Sequence, residues 1–369
     1  MKQKKNLAIV YGGDSSEWEI SVLSGQNVAS HINRDKYNVY EILMRYSDWR
    51  VVNTADGCAP EEPVAQMEER IAQMEERIAQ TEEPLAQTEE PLAQMEELVA
   101  QIDKSDFSFI QNGEKVQFDV VLVMIHGTPG EDGIIQAYFE SLHIPCTSSN
   151  SAVSVLAFDK YACKCALRSA GIPMAKDLVL KQDEEVDEKG VIDALGLPLF
   201  IKPNGGGSSF GAAKVMEAEE LKPALCEAFR ECSTVLAEAY IAGRELTNGI
   251  LKTATQTILL PVTEIVSKNA FFDYQAKYQG ASSEITPAPI SDALSAHIQH
   301  LTSTIFDHLG CKGFIRVDYI AKGEEVFFLE VNTIPGMTQM SLVPQQVAAA
   351  GMSMSAFLDL IIENCYVVS

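Results

Sequence analysis

The chain is short of positive charge: 28 lysines and arginines stand against 52 aspartates and glutamates, a formal charge of −24. A nucleic-acid surface needs a basic face to replace counterions, and an anionic membrane needs a basic patch, so neither is expected as a partner. No apolar run reaches the roughly 18 residues of a membrane span. After its lysines the N-terminus MKQKKNLAIVYGGD has only five apolar residues, short of the about 7–15 of a secretory segment, so it reads as a first β-strand. The eight cysteines contain no C-x-x-C and no Cys/His zinc spacing, and the expectation is reduced, structural thiols in the cytoplasm. Walker A and G-x-G-x-x-G loops are also missing, which removes two common nucleotide folds. What remains is ample for buried cores: 46% of 369 residues are hydrophobic, enough for two or three domains.

The first third alternates strand and helix. Leu7–Tyr11 is an apolar run ending at Gly12-Gly13, and 19–32 shows helical spacing through Ile20, Leu23, Val28 and Ile32. Tyr37–Met44 and Trp49–Val52 read as strands, and Phe118–Ile125 as a central parallel strand leading into a helix over 133–142. This predicts a doubly wound parallel-sheet α/β domain over 1–145 with ligands at the strand carboxyl ends. A helix over 159–170, a strand over 197–202 and a glycine-rich loop over 205–211 follow. Strands over 234–240, 246–251 and 258–266, a helix over 291–309 and strands over 313–320 and 325–331 give the second half an α+β character. Division into 146–237 and 238–369 is expected.

Six near-identical heptads, EEPVAQM to EELVAQI, interrupt the first domain over 61–102. Their apolar fourth and seventh positions have the spacing of a coiled-coil seam, but Pro63, Pro84 and Pro91 oppose one continuous helix. The insertion reads as a catalytically idle surface expansion, with a partner-binding arm as the alternative. Deleting 61–102 is expected to leave activity within a few-fold.

Two constellations carry chemistry. IKPNGGGSSFGAAKV (201–215) places Lys202 before glycines whose bare backbone lets N–H groups approach phosphate oxygens. FIRVDYIAKGEEVFFLEVNTIPGMT (314–338) puts Arg316 and Asp318 on one face of a strand, and Glu330 and Asn332 on one face of the next. If the strands pair, Asp318, Glu330 and Asn332 bring hard oxygen donors together, suited to Mg²⁺ rather than zinc. A plain cross-strand ion pair of Arg316 with a carboxylate is the competing reading.

These motifs resemble the ATP-grasp superfamily and, within it, the D-alanine–D-alanine ligase family. GGDSSEWEIS (12–21), HGTPGEDG (126–133), FDYQAKY (272–278), LGCKGFIRVD (309–318) and SLVP (341–344) are similar to that family's blocks, in its order, across all but about 55–115. The resemblance implies a two-part ATP-grasp fold after the first domain. It implies ATP-dependent ligation of two D-alanines through a D-alanyl phosphate for peptidoglycan, two Mg²⁺ or Mn²⁺, and a homodimer. It assigns Lys160, Lys202 and Lys277 to ATP phosphates, Glu238, Ala239 and Ile241 to adenine, and Glu245 to ribose. Asp318, Glu330 and Asn332 become the metal ligands. Glu17, helped by Ser208 and Tyr278, takes the first D-alanine's ammonium, with His126 beside it. Arg316 and the Gly336 N–H face the acyl phosphate and oxyanion, and Ser341 and Leu342 the second D-alanine's carboxylate.

Tyr278 favours an amine over a hydroxyl nucleophile, leaving D-alanyl-D-lactate ligation as the alternative and a non-catalytic assembly protein built on the heptads as a second. Glu17 as a mere helix cap and His126 as an ordinary strand-end imidazole compete with their assigned roles. Trp18, where the family is commonly basic, reads as surface variation, and His297, His300 and His308 as solvent-facing. Asn204-Gly205-Gly206 departs from the family's usual Ser/Arg/Glu-type run.

Overall fold

The structure is a computed structural model that describes residues 4–54, 100–206, 211–267 and 282–366. Most of the heptads, the segment 272–278 and residue 208 lie outside them. Three sheets organise the chain. The first runs β3(Asp48–Asn53), β2(Tyr37–Arg45), β1(Lys5–Gly12), β6(Val120–Val123). β1 pairs in parallel with β2 and β6, while β3 is an antiparallel edge, so the parallel sheet carries one reversed strand. The other edge of β6 is met by Pro145–Thr147, which explains why Val120–Ile125 is a continuous apolar run, while Asp119 just before it is exposed.

The insertion leaves and rejoins at β3. Val51 N–H donates to the Ala100 carbonyl and Ile102 N–H to Trp49, and Ile102 is buried. Ala100 and Ile102 therefore belong to the first sheet and its core, and a deletion reaching 102 removes core. Phe109–Gln111 and Glu114–Val116 (β4 and β5) form a hairpin around Asn112-Gly113, both at positive φ, as Asn-Gly turns prefer.

Helix α1(Trp18–His31) crosses the first sheet with Ser21, Ser24, Gly25 and Val28 inward and Leu23 outward. The predicted apolar stripe through Leu23 is thus rotated. A Cβ on Gly25 would lie 2.1 Å from the Tyr11 ring, so the close approach of helix to sheet requires glycine. Trp18 is half-buried beneath the Arg45 guanidinium, 4.7 Å from the ring centroid, and is not surface variation.

Helices α2(Ile134–Ser141), α3(Ser151–Phe158) and α4(Lys160–Arg168) lead to the central sheet. Its order is β7(Asp177–Lys181), β10(Thr234–Ala239), β8(Leu199–Pro203), β9(Ala213–Val215), all antiparallel, backed by α5(Glu188–Leu195) and α6(Ala218–Glu231). The division expected at 237/238 falls inside β10.

The third sheet runs β14(Ser282–Ile285), β13(Thr263–Ser267), β11(Arg244–Lys252), β15(Gly313–Lys322), β16(Glu325–Asn332), with β12(Thr257–Leu259) also on β11. The run expected as one strand over 258–266 is two, because Pro261 has no N–H to donate. Helix α7(Asp292–Leu309) starts where the Ser291 side chain accepts from Leu294 N–H and ends at Gly310 with φ 72°. It buries Leu294, Ile298, Ile305 and Leu309 against this sheet, each worth about 1.5–3 kcal/mol. Helices α8(Leu342–Ala349) and α9(Met354–Asn364) return to the first domain, where Val343, Phe357 and Ile361 join the core of β1 and β6. Among the described residues no single helix is long and apolar enough to cross a membrane.

Candidate active site

Two adjoining cavities open between these sheets. The larger, about 780 Å³, lies between the central and third sheets, where Lys202, Glu238, Ala239, Ile241, Glu245 and Asp318 line it. The smaller, about 140 Å³, faces the first domain and is lined by His126, Asn332, Gly336, Ser341 and Leu342. Glu17, Lys160, Arg316 and Glu330 line both. Every described residue that the family resemblance assigns to the site therefore meets this cleft. Ser208, Lys277 and Tyr278 lie outside the described residues.

At the larger cavity the charges are paired in a chain. Lys202 Nζ lies 2.8 Å from Glu238 Oε2, and the other Glu238 oxygen accepts from Lys164, which also sits 2.7 Å from Asp177 Oδ2. Burial alone would raise the Glu238 carboxyl, but Lys202 and Lys164 outweigh it and hold it below its usual range. Burial likewise opposes the Lys202 ammonium, and Glu238 and Glu330 keep its pKa above the ordinary value. Lys164 is fully buried and was missed from the sequence. The available signal was its place on the inward face of α4 beside Cys163 and Leu167, where a lysine needs partners.

Helix α4 is anchored to the glycine loop at its start. The Asp159 side chain accepts from Ala162 N–H, and Asn204 Oδ1 accepts from Tyr161 N–H at 2.8 Å. The departure at Asn204 is thus a helix-to-loop tie. Lys160 Nζ donates to the Gly206 carbonyl at 2.7 Å and lies 3.6 Å from Glu330 Oε2.

On the third sheet the antiparallel register sets Arg316 opposite Asn332 and Asp318 opposite Glu330, through a bulge between Asp318 and Tyr319 that brings the two polar faces together. Arg316 holds Asp318 through two parallel bonds of 2.9 and 2.8 Å, within its own strand rather than across. Thr247 Oγ1 donates to Asp318 at 2.6 Å and Asn332 Nδ2 at 3.0 Å. Among the described residues no cluster of three His, Cys, Asp or Glu side chains converges as a ready metal site.

Glu17 stands at the N-cap of α1 but its side chain makes no capping bond, which removes the helix-cap reading. His126 is buried, with Nδ1 3.0 Å from the Ile334 carbonyl and Nε2 3.0 Å from Ser24 Oγ. Burial pulls its pKa below the ordinary value, against the pull of Glu17. Glu131, unnoticed in the sequence, accepts from Gly127 N–H at 2.8 Å; burial and then the Glu17 charge push it up to about 8. Ser341 begins α8, and its hydroxyl accepts from Thr338 N–H at 2.9 Å. Buried Gln346 pins that helix to the sheet, accepting from Gly249 N–H and donating to the Thr247 carbonyl. His297, His300 and His308 are exposed on α7, as expected.

Comparison with known proteins gives the family. The D-ala D-ala ligase N-terminus model matches residues 6–149, and the D-ala D-ala ligase C-terminus model matches 166–363. The chain belongs to the D-alanine–D-alanine ligase family. A D-alanine–D-alanine ligase of Phocaeicola vulgatus is 43% identical over 362 residues, covering 98% of this chain and 99% of that one. Among solved structures, the VanG D-Ala:D-Ser ligase of Enterococcus faecalis superposes with a TM-score of 0.80 at 31% identity, over 98% of this chain and 100% of the other. The Bacillus anthracis D-alanine–D-alanine ligase complexed with ATP gives 0.70 at 26% identity, over 99% and 98%. The family's match over both halves makes the cleft between them the place to read chemistry.

Proposed function

We propose that this member of the family joins two D-alanines into D-alanyl-D-alanine for peptidoglycan precursors, releasing ADP and phosphate. The observation that carries the reading is the Arg316–Asp318–Glu330–Asn332 face, standing where the two cavities meet. A carboxylate is a poor electrophile and must first be activated. In the larger cavity ATP's phosphates lie among Lys160 and Lys202, with Lys277 assigned to them by the family resemblance, adenine against Glu238, Ala239 and Ile241 and ribose at Glu245. The first D-alanine sits by Glu17, with Ser208 and Tyr278 completing its ammonium site. Its carboxylate oxygen attacks the γ-phosphorus, ADP leaves, and Arg316 spreads the developing charge.

The second D-alanine places its carboxylate at the Ser341–Leu342 start of α8, where backbone N–H groups and the helix dipole favour an anion. Its neutral amine attacks the acyl carbon, the oxyanion takes the Arg316 guanidinium and Gly336 N–H, and phosphate departs.

Asp318, Glu330 and the Asn332 carbonyl oxygen offer only hard oxygens on two strands in register, a donor set that fits two Mg²⁺ or Mn²⁺. Bound there, the metal would supply charge neutralisation at the phosphates. A homodimer working in the cytoplasm completes the reading, on the family resemblance.

The test is product analysis with Mg-ATP and D-alanine alone, then with D-lactate or D-serine added. Dipeptide from D-alanine alone, in step with ADP, is expected at neutral pH. A preference for D-lactate would move the assignment to a depsipeptide ligase and remove the role given to Tyr278. A preference for D-serine would align the chain with its E. faecalis neighbour.

A further inference from the structure

We propose that Ser24 and Asn27 of α1, with His126, are positioning residues that hold the 334–337 loop so that the Gly336 N–H meets the acyl oxygen. The inference rests on the ligase reading for the role of Gly336, and assigns His126 a different task from the substrate contact that the family resemblance implies. Ser24, His126, Ile334 and Met337 are all buried. The Ile334 carbonyl can only accept, so His126 Nδ1 carries the proton across that 3.0 Å contact. In a neutral ring Nε2 is then an acceptor, and the Ser24 hydroxyl donates to it at 3.0 Å. This leaves the Ser24 oxygen to accept from Met337 N–H at 3.2 Å. One turn along the helix, Asn27 Nδ2 donates to the Met337 carbonyl at 2.7 Å.

Both backbone groups of Met337 are thus tied to α1, and the carbonyl of Ile334 is tied to the end of β6 through the imidazole. Gly336 lies between these anchors. The donors come from the first domain and the loop from the third sheet, so docking of the two parts sets the position of the Gly336 N–H. Every member of this chain has a partner of the right kind, the condition for a buried polar network to impose one geometry. It also accounts for the inward serine face of α1, where an apolar residue would pack as well but could not grip a backbone.

Ser24→Ala and Asn27→Asp are the variants. Each is measured for dipeptide formation, for ¹⁸O positional exchange in ATP with D-alanine as a report on acyl phosphate formation, for KM of ATP, and for melting temperature. Misplacing a catalytic donor by about an ångström costs roughly a hundredfold, so ligation should fall ten- to a hundredfold. Exchange should stay within threefold and the KM of ATP within twofold, a split that general loosening would not produce. Ligation within twofold of the parent overturns the proposal. So does an equal loss of exchange and ligation with a lowered melting temperature.

A separate readout is the ¹⁵N spectrum of the His126 ring in the full chain: a neutral, Nδ1-protonated ring is expected, and an Nε2-protonated ring overturns the clamp. If the parent makes no dipeptide, the ligase reading fails, while the ring's tautomer still decides whether the clamp exists.

Discussion

At the wall of the larger cavity, Lys202 and Glu238 sit on neighbouring strands of one sheet, backed by Asp177 on the next strand and Lys164 from α4. Charge pairs between neighbouring strands and one helix hold that wall. The smaller cavity draws Glu17 from the start of α1, His126 from the end of β6, Arg316 from β15, and Gly336 and Ser341 from the loop before α8. It is held largely by hydrogen bonds between distant parts of the chain, such as Ser24 to Met337 and Asn27 to Met337. The contrast suggests a division of labour: the charge chain at the end proposed for ATP is built on one sheet and its helix, although the third sheet supplies the facing wall, and the end proposed for D-alanine is tied across distant parts of the chain. Arg316 and Glu330, which line both, are where the two meet.

The largest effect should come at that meeting point. Asp318→Asn weakens the paired grip on Arg316 and removes a proposed metal ligand, and ADP release should fall roughly a thousandfold. A loss under tenfold would mean that the two cavities do not share a reaction centre. Next, Lys164→Met leaves Glu238 with Lys202 alone and Asp177 with the part-exposed Arg168 alone, which should cost about 3 kcal/mol in urea unfolding. A loss below about 1 kcal/mol would place the stability of the larger cavity elsewhere.

The pH dependence sharpens the same contrast. Glu131 ionises near its ordinary value when unfolded but only at about 8 when folded. Its contribution is therefore fully present at acid pH and is lost as pH rises toward 8. Glu131→Gln should unfold with a flatter pH profile between about 5 and 8 and gain on the parent as pH rises. Parallel profiles would show that Glu131 is ionised in the folded protein. The smallest effect belongs to the heptads: removing 61–98 should change activity only a few-fold, whereas extending the cut through Ile102 should cost about 2–5 kcal/mol by opening the first core.

Much of the fold was legible because it rests on local pattern. Phe118–Ile125 reads as a buried parallel strand from its apolar run alone, and the spacing Arg316-x-Asp318 and Glu330-x-Asn332 fixes which side chains share a face. The register is not legible in that way: a bulge between Asp318 and Tyr319, where Leu329 is passed over, sets Asp318 opposite Glu330. The rest depends on contacts between residues far apart in sequence. Nothing local shows that α1 turns serines rather than Leu23 inward, because the reason is a backbone more than 300 residues away. Trp18 reads as variation until Arg45 is seen over its ring. Lys164 and Asn-Gly at 112–113 are different failures: both carried a local signal, a lysine on an apolar helix face and a turn dipeptide, that was not used.

The division between the two ends is tested most directly by comparing Lys202→Met with Asn27→Asp in one steady-state experiment. Lys202→Met should raise the KM for ATP roughly a hundredfold, the scale of truncating one member of a buried charge pair. Asn27→Asp should leave that KM within twofold and lower kcat for dipeptide at least tenfold. If both variants shift KM and kcat together, the cleft is a single unit and the account of two separately built ends is wrong.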